Sequence, residues 1–350
     1  MQISFFVGNG FDISCGIDTS YRGFYNWYLN QDPSSDVIKK FKDDIKDDLF
    51  GFGKGQRWAD FEAGLGNYSK NFTKDTVNDF IEVYEDAHDS IISYIDQERK
   101  KFNVSVDAAE IQDSLRKGVL HFDQELTPDE QDAITQLRTS DQANDTIIKF
   151  ISFNYTDVLD LCVKELAKSP LATWQFSGIR KCTVSPAVLH IHGTIDHYPI
   201  LGVGEEYQFA NKELLSCPGV AEIMLKSKSV QVMGEHWYKD AEKQIKSSQI
   251  ICIWGMSLGA TDSIWWEKIN EWLNGNASRH LIIFWHTKTP PNGKSIYLYY
   301  SEKSKVIEQM MEYSSFTREQ INKISSQIHV IYNTKKVLRV SFKKKDVINV

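Results

Sequence analysis

The sequence predicts an α/β fold with a Rossmann-like, mainly parallel sheet that carries helices on both faces. Short apolar segments rich in β-forming residues alternate with amphipathic helical segments, and several of the apolar segments end in glycine or a small polar residue. This alternation is typical of parallel strands joined by helical crossovers. The 350 residues suffice for one elaborated domain or two smaller ones, and 41% apolar with 25% charged residues is typical of a globular protein.

The first predicted strand, residues 3–7, passes directly into the glycine turn Gly8-Asn9-Gly10. A strand that enters a glycine turn often begins a nucleotide-binding sheet, because the turn lets backbone N–H groups approach a pyrophosphate. The full G-x-G-x-x-G fingerprint is incomplete, since Ile13 stands where the third glycine would be. From this segment alone, a nucleotide site and an ordinary strand-to-helix turn are equally good interpretations.

A long polar region, residues 31–145, interrupts the α/β pattern. Apolar residues recur in it at helical spacing, for example at Phe80, Val83, Tyr84, Ala87, Ile91 and Tyr94. We therefore interpret this region as a large helical insertion. Residues 1–30 and 146–350 would together form the α/β core.

The alternating pattern resumes after the insertion. Further strands are predicted at residues 147–153, 187–191, 199–203, 249–254, 280–285 and 328–332. Helices are predicted at residues 20–29, from 158 to about 167, near 238–247, at 262–273 and at about 304–325, and Thr127-Pro128 is typical of a further helix start. In a parallel sheet of this kind, ligands bind beyond the carboxyl ends of the strands.

Charge and cysteine content narrow the function classes. A net charge of −7 and a pI near 5.8 argue against a broad electrostatic nucleic-acid interface, so nucleic acid is not an expected partner. The five scattered cysteines contain no CxxC pair, which is typical of reduced thiols in the cytoplasm. Neither a signal peptide nor a membrane helix of roughly 18 apolar residues is evident, so we expect a cytoplasmic protein without membrane association.

Polar residues follow several predicted strands and would meet at one edge of the sheet. Asn154 and His192 each come directly after a strand, and a glycine-containing turn, residues 255–259, follows another. An Asn amide can orient a water or a ribose hydroxyl, and a histidine can act as a base near neutral pH. An Asn that caps a helix and a histidine buried in the core are the ordinary alternatives.

Five segments taken in order carry a resemblance to a known family: VGNGFDISCGIDTSY, WADFE, SFNYTD, HIHG and WGMSLGATD. This set resembles the AbiH family of bacterial phage-defence proteins, named for abortive infection. The order of the motifs is also similar to that of the sirtuin-like NAD-binding superfamily. The resemblance implies a sirtuin-like fold, anti-phage defence, and NAD or a related nucleotide as substrate or ligand without a separate cofactor or metal. A phage or host protein would be the trigger, and we expect a homo-oligomer.

The resemblance also implies roles for individual residues. Asn154 and His192 would flank the nicotinamide-bearing ribose and serve N-glycosidic cleavage, with Asn154 positioning water or ribose and His192 accepting a proton. The nucleotide-binding residues would be Gly8, Asn9, Gly10, Asp12, Gly255, Ser257 and Asp262. Additional candidates are Glu62, four residues after Trp58 on a predicted helix, together with His190 and Asp157.

The sequence departs from the sirtuin pattern in two respects. It lacks the four-cysteine zinc module of sirtuin deacetylases, so deacetylation is not expected. Asn9 and Asp12 also replace the small residues typical of the sirtuin turn. A carboxylate beside a pyrophosphate is unfavourable unless it caps backbone N–H groups or faces a ribose, which leaves the nucleotide open.

Three other functions remain open. Residues 255–259 satisfy the G-x-S-x-G pattern of an α/β-hydrolase elbow, in which Ser257 would be the nucleophile of an esterase and His329 its partner. A nucleotide sensor or scaffold without turnover is a second possibility. The third is a metallohydrolase site, whose ligands would be His190, His192, Asp196 and His197. Their spacing does not match the usual H-x-H-x-D-H pattern.

Overall fold

A single sheet lies at the centre of the fold. The computed structural model describes residues 1–51, 57–103, 115–140, 145–176, 178–291, 295–334, 340 and 342–344. The strands are β1 (Gln2–Val7), β2 (Phe102–Asn103), β3 (Thr146–Ser152), β4 (Ala172–Phe176), β5 (Gly178–His190), β6 (Ile250–Trp254), β7 (His280–Trp285), β8 (Ile328–Tyr332) and β9 (Lys343–Lys344). Seven of them form the sheet in the order β4-β5-β3-β1-β6-β7-β8, and β2 pairs with β9 separately.

Six strands of the sheet run parallel, and only the edge strand β4 runs antiparallel to its neighbour β5. The strand β1 lies between β3 and β6, with Val7 level with Ser152 on one side and Trp254 on the other. The carboxyl ends of these three strands therefore meet at one edge. The predicted α/β, Rossmann-like fold is confirmed.

Fourteen helices occur in the described part of the chain. They are α1 (Gly10–Ser14), α2 (Tyr21–Tyr28), α3 (Asp36–Phe50), α4 (Phe61–Tyr68), α5 (Val77–Lys100), α6 (Arg116–Leu120), α7 (Pro128–Ser140), α8 (Val158–Leu166), α9 (Val220–Met224), α10 (Lys226–Val232), α11 (Trp237–Ser247), α12 (Ser263–Asn274), α13 (Ile296–Met311) and α14 (Arg318–Ile324). Within the described ranges, none of them has the length and apolar character that a membrane span requires. All five cysteines are free thiols.

The two faces of the sheet are covered by different helices, because successive strand residues point to opposite sides. On one face Phe5 stacks on Phe150 with ring centroids 5.4 Å apart, and α6, α7 and α8 pack over them. On the other face α12 carries Trp265 and Trp266, which are completely buried, and α11 and α13 pack beside it.

A third apolar cluster joins α2, α3, α4 and α5 to the segment 201–225. The three helices α2, α3 and α4 begin at side-chain caps, with Ser20, Ser35 and Asp60 each accepting a backbone N–H of the first turn. By contrast, α6 and α7 pack on the sheet and not in this cluster. The division into residues 31–145 and an α/β core stays a prediction.

Two predicted elements differ from the structure, and one hairpin was missed. Residues 199–203 form no strand. Their apolar pattern reflects burial of Leu201 and Val203 in the helical cluster. The helix predicted at 304–325 is two helices, since Thr317 caps a new one through a capping box with Gln320. The antiparallel β4–β5 hairpin, which includes Pro186, was not predicted.

The turns after β1 and β6 are in direct backbone contact. A Cβ atom on Gly10 would lie 2.5 Å from Gly255 Cα, and one on Gly8 would lie 2.7 Å from Gly255 O. Gly255 itself has a φ of 69°, which favours glycine. The glycines are therefore required for the close approach of two loops, whatever else they do.

Substitution of Gly10 by alanine should destabilise the fold, because backbone and not a flexible side chain opposes the new methyl group. We expect the free energy of unfolding to fall by about 1–3 kcal/mol, as for other overpacked sites. Urea denaturation of Gly10→Ala measures this loss. Gly259→Ala is the matched control, since its φ is −73° and its nearest contact would be 3.4 Å; equal losses in both variants would contradict the explanation.

Candidate functional site

A cleft opens at the carboxyl ends of β1, β3 and β6, where ligands bind in folds of this type. Its empty volume is about 840 Å³ including the open mouth, which is within the size range of small-molecule sites. None of the described lining residues is Lys or Arg. Polar lining is contributed by Asn9, Asp12, Thr19, Asp60, Glu62, Asn154, His192, Ser257, Thr261 and Asp262.

Asn154 lies at the first turn after β3 and is only 3% exposed. Its backbone is fixed on both sides: its N–H donates to Ser152 Oγ at 3.1 Å, and its carbonyl oxygen lies 3.0 Å from His190 Nδ1. Among the described residues, neither side-chain atom has a partner of regular hydrogen-bond geometry. A buried amide needs polar partners, and the Asp12 carboxyl group is the neighbour on which the Asn154 amide acts.

Asp12 faces the same cleft from α1 and is 1% exposed. The Thr156 hydroxyl donates to its Oδ2 at 2.8 Å, and the Asn154 amide also interacts with the Asp12 carboxyl group. Burial raises the pKa of Asp12 to about 7, against the opposing effect of the Thr156 hydrogen bond. At neutral pH this carboxyl group can therefore act either as an acid or as a base.

Three backbone donors of the glycine turn are already used. The N–H of Gly8 donates to Trp254 O and that of Gly10 to Gly255 O, each at 3.0 Å, and Phe11 N–H donates to Gly8 O at 2.9 Å. These three groups pair the turn with itself and with the turn after β6. Binding of pyrophosphate by Gly8 and Gly10 stays a prediction.

A chain of buried charges forms the wall of the cleft on the side of the helical cluster. His192 Nε2 lies 3.1 Å from Asp262 Oδ1, and the same oxygen lies 3.0 Å from Lys226 Nζ. Lys226 also lies 2.9 Å from Glu62 Oε2. The second Glu62 oxygen accepts the Gly202 N–H at 3.2 Å. The chain thus runs from α4 through α10 and α12 to the end of β5.

Burial and the ammonium group set the ionisation of this chain. Burial lowers the pKa of His192, and Lys226 lowers it further against the hydrogen bonds of the ring to Asp262 and the Phe153 backbone, so the ring is neutral at pH 7. Burial raises the pKa of Asp262, but Lys226 and His192 together bring it below its ordinary value. Burial raises the pKa of Glu62, although Lys226 opposes that rise.

Two of the predicted additional residues lie outside the cleft lining. His190 contacts the Asn154 carbonyl and, at 2.7 Å, the Asp160 carboxylate, so it supports the backbone of Asn154. Asp157 pairs with Arg99 at 2.7 Å and its side chain is 54% exposed. Gly10 is also absent from the lining, although it contacts Gly255 directly.

The three histidines of the metallohydrolase alternative do not converge. His190 faces Asp160, His192 faces Asp262, and the exposed His197 faces Glu235. Over the described ranges, no group of three or more His, Cys, Asp or Glu residues is placed to hold a metal ion. The metallohydrolase interpretation therefore has no geometric support.

The serine esterase alternative is also unsupported. Its proposed base, His329, lies on β8, two strands from β6, and is held by Glu130 Oε1 at 3.1 Å and His280 Nδ1 at 3.0 Å. The positive φ angles of the turn belong to Gly255 and Leu258, whereas Ser257 has none, unlike the strained serine of a nucleophile elbow. Ser257 lines the cleft without a histidine partner among the described residues.

Comparison with known families agrees with the geometry. Residues 5–284 match the family described as Bacteriophage abortive infection AbiH, which is most of the 350-residue chain. The chain belongs to the AbiH family. Membership indicates a role in anti-phage abortive infection. The chain matches no curated protein.

All five segments that carry the AbiH resemblance contribute to the cleft. The first supplies Gly8, Asn9, Asp12 and Thr19; the others supply Asp60 and Glu62, then Phe153 to Tyr155, then His192, and finally residues 255–259 with Thr261 and Asp262. Segments far apart in the AbiH chain are thus brought to one place. This convergence is the observation that most favours a single site.

Sequence reasoning missed Lys226, the cation of the charge chain, and Thr19, whose buried hydroxyl is unpartnered among the described residues. Lys226 follows the apolar run Ile223-Met224-Leu225, and a lysine at the end of such a run is a weak signal of burial. Thr19 lies within the first AbiH segment, four residues after Cys15. No spacing rule points to either residue as a member of a site.

The raised pKa of Asp12 predicts how stability depends on pH in this AbiH family member. An unfolded Asp titrates near pH 3.9, so between about pH 4 and 7 the folded state binds more protons and the free energy of unfolding falls as pH rises. Asp12→Asn removes this loss. In urea denaturation, we expect the free energy of unfolding of the variant to rise by about 2–4 kcal/mol relative to that of wild type between pH 4 and 8.

The control for this measurement is Asp43→Asn, because the Asp43 side chain is 62% exposed and its ion pair with Lys39 is at the surface. Its stability difference from wild type should stay nearly constant across the same pH range. A constant difference for Asp12→Asn as well would mean that Asp12 ionises normally in the folded state.

Proposed function

We propose that this AbiH protein hydrolyses the N-glycosidic bond of NAD or a related nucleotide as its contribution to phage defence. The observation that carries the proposal is the convergence of Asp12, Asn154 and His192 in one cleft, where the Asn154 amide acts on the buried Asp12 carboxyl group.

The charge of the cleft favours this reaction class. Hydrolysis of an N-glycosidic bond passes through a transition state with positive charge on the ribose ring. Acidic side chains line the cleft, and no Lys or Arg does so within the described residues. In its ionised form, a carboxylate held in a partly buried site stabilises a developing cation more strongly than water would.

The proposed step has three parts. A water held by Asn154 attacks C1′ of the ribose, the bond between C1′ and the base nitrogen breaks, and the base leaves with the bonding electron pair, which makes nicotinamide neutral. His192 accepts the proton that the water loses, consistent with its neutral ring. Asp12 faces the ribose and stabilises the cationic centre.

The same charges limit where a pyrophosphate would bind. The N–H groups of Gly8, Gly10 and Phe11 are paired, and the ionised form of Asp12 would repel a pyrophosphate. We infer that the nicotinamide-ribose part enters the cleft, while the pyrophosphate stays towards the open mouth. This orientation gives the glycine turn a packing role and requires no phosphate contact from it.

Other expectations belong to the same proposal. We propose a relation to the sirtuin-like superfamily and a cytoplasmic location. The nucleotide would be substrate or ligand, and no further cofactor would be needed. These three expectations fit a defence that depletes NAD. A phage or host protein would act as trigger, and a homo-oligomer would be the assembled form. Nucleotide binding without turnover is the competing function.

Nicotinamide release tests the proposal. The purified protein is incubated with NAD, alone and with extract from phage-infected cells, and nicotinamide is followed with time. We expect release in at least one condition and a loss of about 100-fold or more in Asn154→Ala and His192→Ala, because each removes a group that acts on the reacting atoms.

Matched controls are Asn30→Ala and His121→Ala, which change exposed residues away from the cleft. Both should retain wild-type release, and all four variants should match wild type in circular dichroism and thermal unfolding. NAD binding without release under either condition would replace hydrolysis by the sensor function. Neither binding nor release would contradict both.

A further inference from the structure

Lys226 is a completely enclosed cation whose partners come from separate parts of the fold. Its side chain is 2% exposed and contacts Glu62 of α4 at 2.9 Å and Asp262, next to α12, at 3.0 Å. Lysine is almost never fully buried unless it is paired. The pairing explains why Lys226 is stable in a buried position. It does not explain why the ammonium group shares the carboxylate of Asp262 with His192.

The contacts of Asp262 answer that question. Its Oδ1 atom is shared between Lys226 Nζ at 3.0 Å and His192 Nε2 at 3.1 Å. The carboxylate alone would stabilise the protonated form of the imidazole. An ammonium group on the same oxygen offsets that negative charge and so favours the neutral ring. The second carboxylate, Glu62, in turn draws the ammonium group towards the helical cluster, where its other oxygen is fixed by the Gly202 N–H.

We propose that Lys226 is a positioning residue that holds the Asp262–His192 pair with the imidazole neutral, and that Glu62 links this control to the helical cluster. A second bridge supports the link, since Thr261 Oγ1 donates to Asp60 Oδ2 at 3.4 Å beside Glu62. A shift of α4 would therefore change the charge balance at His192. The inference rests on the proposed function only where it gives His192 a part in catalysis.

The charged and titratable groups around this pair come from several elements. Asp262 and Lys226 act on His192 directly, and Phe153 packs edge-on against the ring with centroids 5.4 Å apart. The phenol groups of Tyr155 and Tyr238 lie in the field of Lys226, and burial raises the pKa of both above the ordinary value, so they stay neutral. Within the described residues, Lys226 is the cation that lowers the pKa of His192.

The test is an NMR titration of the His192 ring, with its signal assigned by loss in His192→Asn. In Lys226→Gln we expect the pKa of His192 to rise by about one pH unit or more, because Asp262 then faces the imidazole alone. Lys226→Met is the second variant and should give the same rise. Lys226→Arg, which keeps the charge, should leave the wild-type value. An unchanged pKa in the folded neutral variants would overturn the proposal.

Glu62→Gln tests the link to the helical cluster with almost no change in shape. With Glu62 neutral, the full charge of Lys226 acts on Asp262. The pKa of His192 should therefore be equal to or lower than its wild-type value. A rise in this variant would contradict the link. Lys243→Met, which removes an exposed lysine paired with Asp240 at 2.9 Å, is the control and should change nothing.

These results are independent of turnover. If Lys226→Gln raises the pKa of His192 while the wild-type protein releases no nicotinamide, the positioning role stands and the hydrolytic function fails. If nicotinamide is released and its pH profile is the same in wild type and Lys226→Gln, with no shift of the His192 signal, the function stands and the positioning role fails.

Discussion

The backbone contact between the turns after β1 and β6 is the constraint on which the site depends. Gly10 N–H donates to Gly255 O, and no side chain fits between these two turns. The contact places α1, which carries Asp12, directly beside the loop that leads to Asp262. Because β3 pairs with β1 on its other side, Asn154 is brought to the same edge. The cleft is therefore a consequence of strand order and of two backbones in contact.

The second constraint is electrostatic. The chain buries Glu62, Asp262 and Lys226 at one place, and desolvation of such groups is costly even when they are paired. Loss of one partner from a buried ion pair typically costs about 3–5 kcal/mol, more than the pair contributes over apolar residues of similar volume. Replacement of a buried ion pair by apolar residues of similar volume is often neutral or stabilising. The retained charges are therefore better explained by what they do to His192 than by stability alone.

Much of the fold could be predicted from sequence because its strands are short apolar runs bounded by polar turns. The strands 280–285 and 328–332 agree with β7 and β8 at both ends. The apolar run 199–203 was misread for the same reason, since burial in the helical cluster gives the same pattern as burial in a sheet. Within the site, Asn154 and His192 are marked by their place after a strand. Lys226 is not, because its importance comes from residues 164 and 36 positions away.

The glycine turn shows how one sequence pattern can serve two physical purposes. In a dinucleotide site, a glycine turn leaves N–H groups free for phosphate oxygens. Here the N–H groups of Gly8, Gly10 and Phe11 are occupied, and the next side chain into the cleft is the carboxyl of Asp12. The missing third glycine and the unexpected Asp12 then have one explanation. The turn packs against the turn after β6 and presents the Asp12 carboxyl group to the cleft, which under the proposed function would face the cationic ribose.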